Sequence, residues 1–191
     1  MPLANRSPAA DRARLVEIVK ARSFQSGAEM KLASGRTSNF YFNMKPTMLD
    51  ADGGLLIANL ILDKIEGLSA GWIGGLEMGA VPIAAAVAAV SPLRDQRISA
   101  FFVRKQAKEH GTRSLVEGLA RGETLNGARV VIVEDVTTTG NSALKAVDAV
   151  RAEGGEVVCV ITIVDRQEGA AETFEAAGLA FVPLLSLDDF R

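Results

Sequence analysis

Short, continuous apolar runs alternate along the chain with segments whose apolar residues have helical spacing. The apolar runs are typical of strands buried on both faces, and they occupy residues 70–75, 98–104, 128–135, 156–166 and 179–185. The helical segments between them lie near residues 81–90, 141–153 and 170–177. Because neighbouring parallel strands need crossover helices, this order predicts an α/β fold with a central, mostly parallel sheet flanked by helices.

The first 50 residues follow a different pattern. Ser7 and Pro8 are typical of a helix start, and the helix is expected to continue to about Arg22. The turn residues at 34–35 and the aromatic run at 40–42 then suggest a hairpin. We therefore expect a small N-terminal α+β unit over residues 1–50 and one compact core over residues 51–191.

Composition narrows the class of protein. With 191 residues, 48% of them apolar, the chain suits one globular domain with a small appendage. The longest apolar stretch, residues 81–90, is shorter than the roughly 20 residues that cross a bilayer, and no secretory signal is visible. Cys159 is the single cysteine, so neither a disulfide framework nor a cysteine metal site is possible. We expect a cytoplasmic protein without a membrane partner.

Charge is uneven along the chain. The formal net charge is only −2, which argues against a general nucleic-acid binder. Between Arg94 and Arg121, however, there are seven Arg or Lys residues and only three acids, and the only histidine, His110, lies in the same segment. Such a basic segment indicates a small, highly anionic ligand, although a solvated charged face is the alternative.

In open α/β sheets, ligands bind beyond the carboxyl ends of the strands. That rule selects four segments, at residues 74–79, from 104 onward, at 134–142 and at 165–166. Their unusual chemistry agrees: glycines, clustered cations, paired acids with hydroxyls, and an arginine.

The third predicted strand ends in two acids, followed by a hydroxyl-rich helix start. Free N–H groups at a helix start bind phosphate, and the two carboxylates are suited to accept hydrogen bonds from ribose hydroxyls. This order therefore predicts a site for a ribose 5-phosphate. A P-loop is excluded, because no G-x-x-x-x-G-K-[ST] motif occurs. Alternatively, the hydroxyls merely cap the helix. The residues are Glu134, Asp135, Val136, Thr137, Thr138, Thr139, Gly140, Asn141 and Ser142.

Two stretches carry a family resemblance. "EDVTTTG" at 134–140 resembles the signature of the type I phosphoribosyltransferases, and "RKQAKEHG" at 104–111 is similar to the catalytic loop of their orotate-specific branch. The likeness extends from "LASGRTSNFYF" through "GGLEMGAVPIA" to "VDRQEGAAE". It implies the type I phosphoribosyltransferase fold, in which residues 1–50 form an N-terminal helix and hood.

The resemblance also implies residue roles. Binding of 5-phosphoribosyl 1-diphosphate (PRPP) is implied for the nine residues at 134–142 and for the basic loop, with at least one loop residue supplied across a homodimer. The loop residues are Arg104, Lys105, Lys108 and His110. Catalytic roles are implied for Lys105, Lys108, His110 and Asp135. Contacts with the base are implied for Thr138, Arg166, Tyr41 and Phe42.

Some of these assignments have alternatives. By periodicity alone, Tyr41 and Phe42 are core residues, and Arg166 equally suits a surface salt bridge with Asp165. The resemblance places glycines 74, 75 and 79 under the pyrophosphate. Ala33 and Met78 stand where the best-known bacterial pattern has lysines, so contacts by those lysines cannot be carried over.

The implied reaction transfers the phosphoribosyl group of PRPP to orotate, giving orotidine 5′-monophosphate and diphosphate in pyrimidine (UMP) biosynthesis. Mg²⁺ is the implied cofactor, bound through PRPP rather than in a protein cage. Two alternatives remain: a phosphoribosyltransferase for another nucleobase, and a PRPP-sensing regulator of the same fold that binds nucleic acid.

Overall fold

The N-terminal part combines helices with a hairpin. In the computed structural model, which describes residues 6–31, 37–106 and 114–191, helix α1 (Pro8–Arg22) begins after the N-cap Ser7, whose hydroxyl accepts a hydrogen bond from the Ala10 N–H. Strands β1 (Phe24–Lys31) and β2 (Thr37–Phe42) pair antiparallel, and the short helix α2 (Lys45–Met48) follows. The predicted helix and hairpin are confirmed.

The rest of the chain alternates strands with helices. Its elements, in chain order, are α3 (Ala51–Ile65), β3 (Trp72–Gly74), α4 (Ala80–Val90), β4 (Ser99–Ala100), β5 (Phe102–Val103), β6 (Val116–Glu117), β7 (Arg129–Thr137), α5 (Asn141–Ala152), β8 (Glu156–Asp165), α6 (Ala170–Ala176) and β9 (Phe181–Ser186). Two 3-10 helices occupy Ser91–Arg94 and Leu187–Phe190.

Five strands form the central sheet in the order β4-β3-β7-β8-β9, and every neighbouring pair is parallel. The predicted α/β architecture is therefore confirmed. Strand β7 lies in the middle of this sheet, and its residues 130–133 are at most 1% exposed. Val131 and Val133 pack with α3 and α4, whereas Val130 and Ile132 pack with α5 on the opposite face. Helices thus cover both faces.

The N-terminal part packs on the sheet through aromatic rings. The Phe24, Phe42 and Phe190 rings are in mutual contact, with centroids 5.0 to 5.2 Å apart. Leu15 and Phe42 belong to the same hydrophobic cluster as Ile161 of β8. The proposed boundary at residue 50 stays a prediction. None of the helices in the described part of the chain has the length and apolar character needed to cross a lipid bilayer.

Candidate active site

Four segments meet at the carboxyl edge of the sheet. Gly74 of β3 pairs with Ile132 of β7, and Thr137 of β7 pairs with Asp165 of β8. The Arg166 N–H donates to the Thr137 carbonyl at 2.9 Å. The Val103 N–H, just before the basic segment, donates to the Gly75 carbonyl at 2.8 Å. Segments that are up to 92 residues apart in sequence, from 74 to 166, therefore share one edge.

Glu134 carries the most strongly perturbed carboxyl group of this edge. Burial raises its pKa to about 8, the neighbouring Asp135 charge adds to the increase, and Lys105 opposes it. Its Oε2 atom and the Thr137 hydroxyl are buried and have no hydrogen-bond partner among the described residues. Because buried polar groups in folded proteins normally have partners, these two atoms are candidates to bind ligand hydroxyls.

Asp135 belongs to β7, and its carboxylate lies beside Gly79 at the start of α4. Burial raises its pKa, while a hydrogen bond from the Val136 N–H and the charges of Lys45 and Lys105 lower it. The Val136 N–H donates to Asp135 Oδ1 at 3.0 Å. A Cβ atom placed on Gly79 would lie 2.5 Å from the same oxygen. Gly79 therefore provides the space that the Asp135 carboxylate occupies.

The N-terminus of α5 has the features of a phosphate site. Its N-cap is Gly140, which has φ +85° and provides no side-chain capping bond, whereas Ser7 caps α1 and Asp50 caps α3. The first N–H groups of α5 are thus free of side-chain capping, and the helix dipole favours an anion there. A cavity of about 50 Å³ lies at this point. It is lined by Glu134, Val136, Thr137, Thr138, Thr139, Gly140, Asn141 and Ser142.

The glycine-rich loop after β3 is tightly packed against protein. A Cβ on Gly74 would lie 2.5 Å from the Phe101 carbonyl oxygen, and one on Gly75 would lie 2.8 Å from the Ala80 Cβ. These two glycines therefore permit close packing of the strands and of α4, which is a different reason from the pyrophosphate contact that the resemblance implies. Met78 is 61% exposed, and the peptide bond that precedes it is cis.

The basic segment begins beside the two acids. The Arg104 N–H donates to the Leu115 carbonyl at 2.9 Å, and the Lys105 N–H donates to Glu77 Oε1 at 2.9 Å. The positive charge of Lys105 lowers the pKa of both Glu134 and Asp135. Two further predicted residues, Lys108 and His110, lie outside the described residues, as does Ala33.

Arg166 is only 6% exposed, so it is not the surface residue that the alternative interpretation assumed. Its guanidinium forms an ion pair with Glu168 at 2.8 Å. Asp165 instead accepts a hydrogen bond from the Gln167 N–H at 2.8 Å, and burial raises its pKa. Arg166 thus presents a buried cation next to Thr137, at the edge that carries the acids.

The two aromatic residues assigned to the base differ in environment. Tyr41 is 42% exposed, whereas Phe42 is 8% exposed and packs against Phe24 and Phe190. Adjacent residues of a strand point to opposite faces, so the two rings have different surroundings. The role of Phe42 stays a prediction, but its ring is part of the core, as periodicity indicates.

Sequence reasoning did not identify Glu77, a single acid within a glycine-rich loop that no local pattern marks. Lys45, which follows the hairpin, is a candidate from the sequence to replace a missing lysine, and its charge lowers the pKa of Asp135. Among the residues that the structure describes, no group of three or more His, Cys, Asp or Glu side chains could hold a metal ion.

Comparison with known proteins assigns the fold to a family. The family model of the phosphoribosyl transferase domain matches residues 51–175. The chain is 58% identical over 184 residues to the orotate phosphoribosyltransferase of Bradyrhizobium diazoefficiens, covering 96% of this chain and 98% of that relative. The structure is similar to a Mycobacterium tuberculosis orotate phosphoribosyltransferase, with 42% identity and a TM-score of 0.81 over 94% of this chain and 98% of that one. Another structure of that enzyme, in complex with PRPP, has 40% identity and a TM-score of 0.78, with the same coverage of both chains.

Proposed function

The chain belongs to the orotate phosphoribosyltransferase family of phosphoribosyl transferase domains, and we propose on that basis that it converts orotate and PRPP to orotidine 5′-monophosphate and diphosphate. It is thus a glycosyltransferase of pyrimidine biosynthesis. The observation that carries the proposal is the pair of half-buried acids near the end of β7, shortly before the N-terminus of α5, which no side chain caps. This arrangement offers acceptors for ribose hydroxyls beside donors for a phosphate.

The ribose 5-phosphate is assigned to the segment 134–142. Its 5-phosphate accepts hydrogen bonds from the first N–H groups of α5 and from the threonine hydroxyls around them. The ribose hydroxyls donate to Glu134 and Asp135. A ribose hydroxyl would thus be the hydrogen-bond partner of Glu134 Oε2, which has none among the described residues. Asp135 also balances positive charge that develops on the ribose as the anomeric bond breaks.

The diphosphate is assigned to Arg104 and Lys105, with Lys108 and His110 added on the strength of the resemblance. The charge of Lys105 lowers the pKa of both acids, and its ammonium group is suited to stabilise the charge of the leaving diphosphate. The carboxylate oxygens of Glu134 and Asp135 are compatible with Mg²⁺, a hard cation that prefers oxygen ligands and retains waters. Bound through PRPP, the metal ion would neutralise charge on the diphosphate.

Orotate is assigned to Arg166, Thr138 and Tyr41. Arg166 offers a planar fork of donors for a carboxylate or ring oxygens, and its partial pairing with Glu168 holds the fork in place. The ring nitrogen of orotate forms a bond to the anomeric carbon as the bond from that carbon to the diphosphate oxygen breaks. No protein nucleophile is required for this displacement.

Loss of orotate absorbance in the presence of PRPP and Mg²⁺ tests the reaction. We expect turnover by the intact protein and a reduction on the order of 10²-fold in Lys105→Ala, because one cation is lost at the developing charge. Lys64→Ala, which removes a lysine at the far end of α3, is the matched control. If the protein binds PRPP without consuming orotate, purine bases and then nucleic acids are tested, since these would identify the two alternatives.

We also propose a homodimer, as the resemblance implies. Exposed apolar residues recur along α4 and its flanks: Met78 is 61% and Leu93 67% exposed, and Ala85 and Ala89 lie between them with helical spacing. An apolar face of this kind is typical of an interface. Leu93→Asp is expected to yield monomers in size-exclusion chromatography with light scattering. Ala152→Asp places the same charge on exposed α5, on the opposite face of the sheet, and is expected to leave the dimer intact.

The proposed location is the cytoplasm, with no membrane or nucleic-acid partner. Cys159 is buried in β8, where burial raises its pKa to about 11. A single buried thiol suits a reducing compartment, because oxidising compartments favour paired cysteines. The net charge of −2 does not favour a polyanionic partner. Cell fractionation with an antibody against the chain tests the location directly.

A further inference from the structure

Glu77 connects the glycine-rich loop to the first residues of the basic segment. Its carboxylate Oε1 accepts the Lys105 N–H at 2.9 Å, and its own N–H donates to the Val103 carbonyl at 2.8 Å. Leu76, immediately before it, forms an isolated parallel bridge with Val103. Glu77 is therefore hydrogen-bonded to both neighbours of Arg104, Val103 and Lys105, at the point where β5 ends and the basic segment begins.

These bonds restrict the path of the chain at Lys105. Strand β5 ends at Val103, and the Arg104 N–H is held by the Leu115 carbonyl. The hydrogen-bond acceptor of the backbone N–H is a carbonyl for Arg104, whereas for Lys105 it is the side-chain carboxylate of Glu77. The bond to Glu77 therefore decides the direction in which Lys105 leaves the backbone.

The direction of Lys105 has a chemical consequence. Gly75, two residues before Glu77, packs against the Val133 carbonyl, directly before the two acids. Lys105, bonded to Glu77, therefore leaves the backbone near this end of β7, and its charge lowers the pKa of Glu134 and of Asp135. A long lysine side chain on a freely rotating backbone would populate many directions. We infer that Glu77 is a positioning residue that aims Lys105 at the diphosphate of PRPP, an inference that rests on the proposed function.

Glu77 acts through Lys105 and is not itself placed against the substrate. A carboxylate in direct contact with the diphosphate would repel it, whereas one engaged by a backbone N–H serves as an acceptor only. The inference thus separates the charge of Glu77 from its hydrogen bond. Glutamine retains an acceptor oxygen at the same distance from the backbone and removes the charge, and alanine removes both.

A double-mutant cycle in kcat/KM for PRPP tests this inference. Glu77→Ala is expected to lower kcat/KM about tenfold, the effect of losing one hydrogen bond, while Glu77→Gln stays near the intact protein. In the Lys105→Ala background, Glu77→Ala is expected to have less than about a twofold effect, because residues that act as a unit are not additive. An undiminished effect in that background, or equal losses in the Gln and Ala variants, overturns the inference.

Glu123→Ala is the matched control, since Glu123 Oε2 accepts a backbone N–H from Ala120 at 2.7 Å in another loop. It should leave kcat/KM unchanged. Thermal unfolding and circular dichroism show whether a variant has lost its fold. If Glu77→Ala is unfolded, the test is made with Glu77→Gln.

Amide hydrogen exchange provides a measurement that does not depend on turnover. Exchange at the Lys105 N–H is expected to be about tenfold faster in Glu77→Ala and unchanged in Glu77→Gln. Equal exchange in all three proteins overturns the inference. If the intact protein consumes no orotate, the proposed function fails; the same cycle is then measured as the dissociation constant of PRPP, where additive effects of Glu77 and Lys105 overturn the inference separately.

Discussion

Replacing Glu134 by glutamine is expected to remove a pH-dependent loss of stability. Burial and the adjacent Asp135 raise the pKa of Glu134 from its ordinary 4.5 to about 8. Between these two values the folded protein binds a proton that the unfolded chain releases. Its free energy of unfolding therefore falls as the pH rises through that window and levels off above about pH 8. Glutamine resembles the protonated carboxyl in shape and has no proton to lose.

The magnitude follows from the two pKa values. The full difference between 4.5 and about 8 corresponds to about 5 kcal/mol at 1.36 kcal/mol for each pH unit. Part of that loss has already occurred at about pH 6, because the unfolded carboxyl is ionised there. Between about pH 6 and about pH 9 the remaining loss is roughly 3 kcal/mol. Glu134→Gln should therefore gain roughly 3 kcal/mol relative to the intact protein over this interval.

Urea unfolding at both pH values, at one fixed protein concentration, measures this difference. Cys159 is present in both proteins, so its own titration cancels in the comparison. Glu175→Gln, at an exposed position on α6, is the control and should follow the intact protein. Parallel pH profiles for Glu134→Gln and the intact protein would refute the argument, because they would mean that Glu134 is ionised in the folded state at neutral pH.

Three further substitutions have predicted outcomes. Gly79→Ala displaces the Asp135 carboxylate, since the new Cβ would lie 2.5 Å from Oδ1; turnover should fall on the order of tenfold or more with near-native circular dichroism. Gly140→Ala combines φ +85° with a Cβ 2.9 Å from the Phe174 ring, so urea unfolding should show about 1 to 3 kcal/mol less stability and calorimetry weaker PRPP binding. Phe190→Ala removes one ring from the aromatic cluster and should lower the free energy of unfolding by about 3 to 5 kcal/mol in the same assay.

The order of elements could be predicted because it depends on local patterns. Continuous apolar runs such as 130–133 predict strands buried on both faces, and the five predicted strands all lie in or beside the central sheet. One run, residues 98–104, is divided in the structure. Its first part joins the main sheet as β4, and its second part pairs with β6 as β5. That division depends on a partner strand distant in sequence, which periodicity does not report.

The candidate site was predicted only in part. The segment 134–142 combines acids, hydroxyls and glycine in one stretch, so its chemistry is visible locally. The environment of its side chains is not. Phe42 and Tyr41 are neighbours in sequence, yet one belongs to an aromatic cluster with Phe190 and the other is exposed. Arg166 was expected to be equally suited to the surface, but the structure buries it beside Thr137.

By itself, the sequence determined the α/β class, the parallel direction of the strands and the segments that carry acids, hydroxyls and cations. These properties follow from apolar period and residue type within about ten neighbouring positions. The tertiary structure alone decided that burial raises the pKa of Glu134 to about 8, that the Lys105 charge acts on Glu134 and Asp135, and that Glu77 accepts the Lys105 backbone N–H. Burial and charge–charge distance depend on chain segments brought together by the parallel sheet, and no local pattern specifies them.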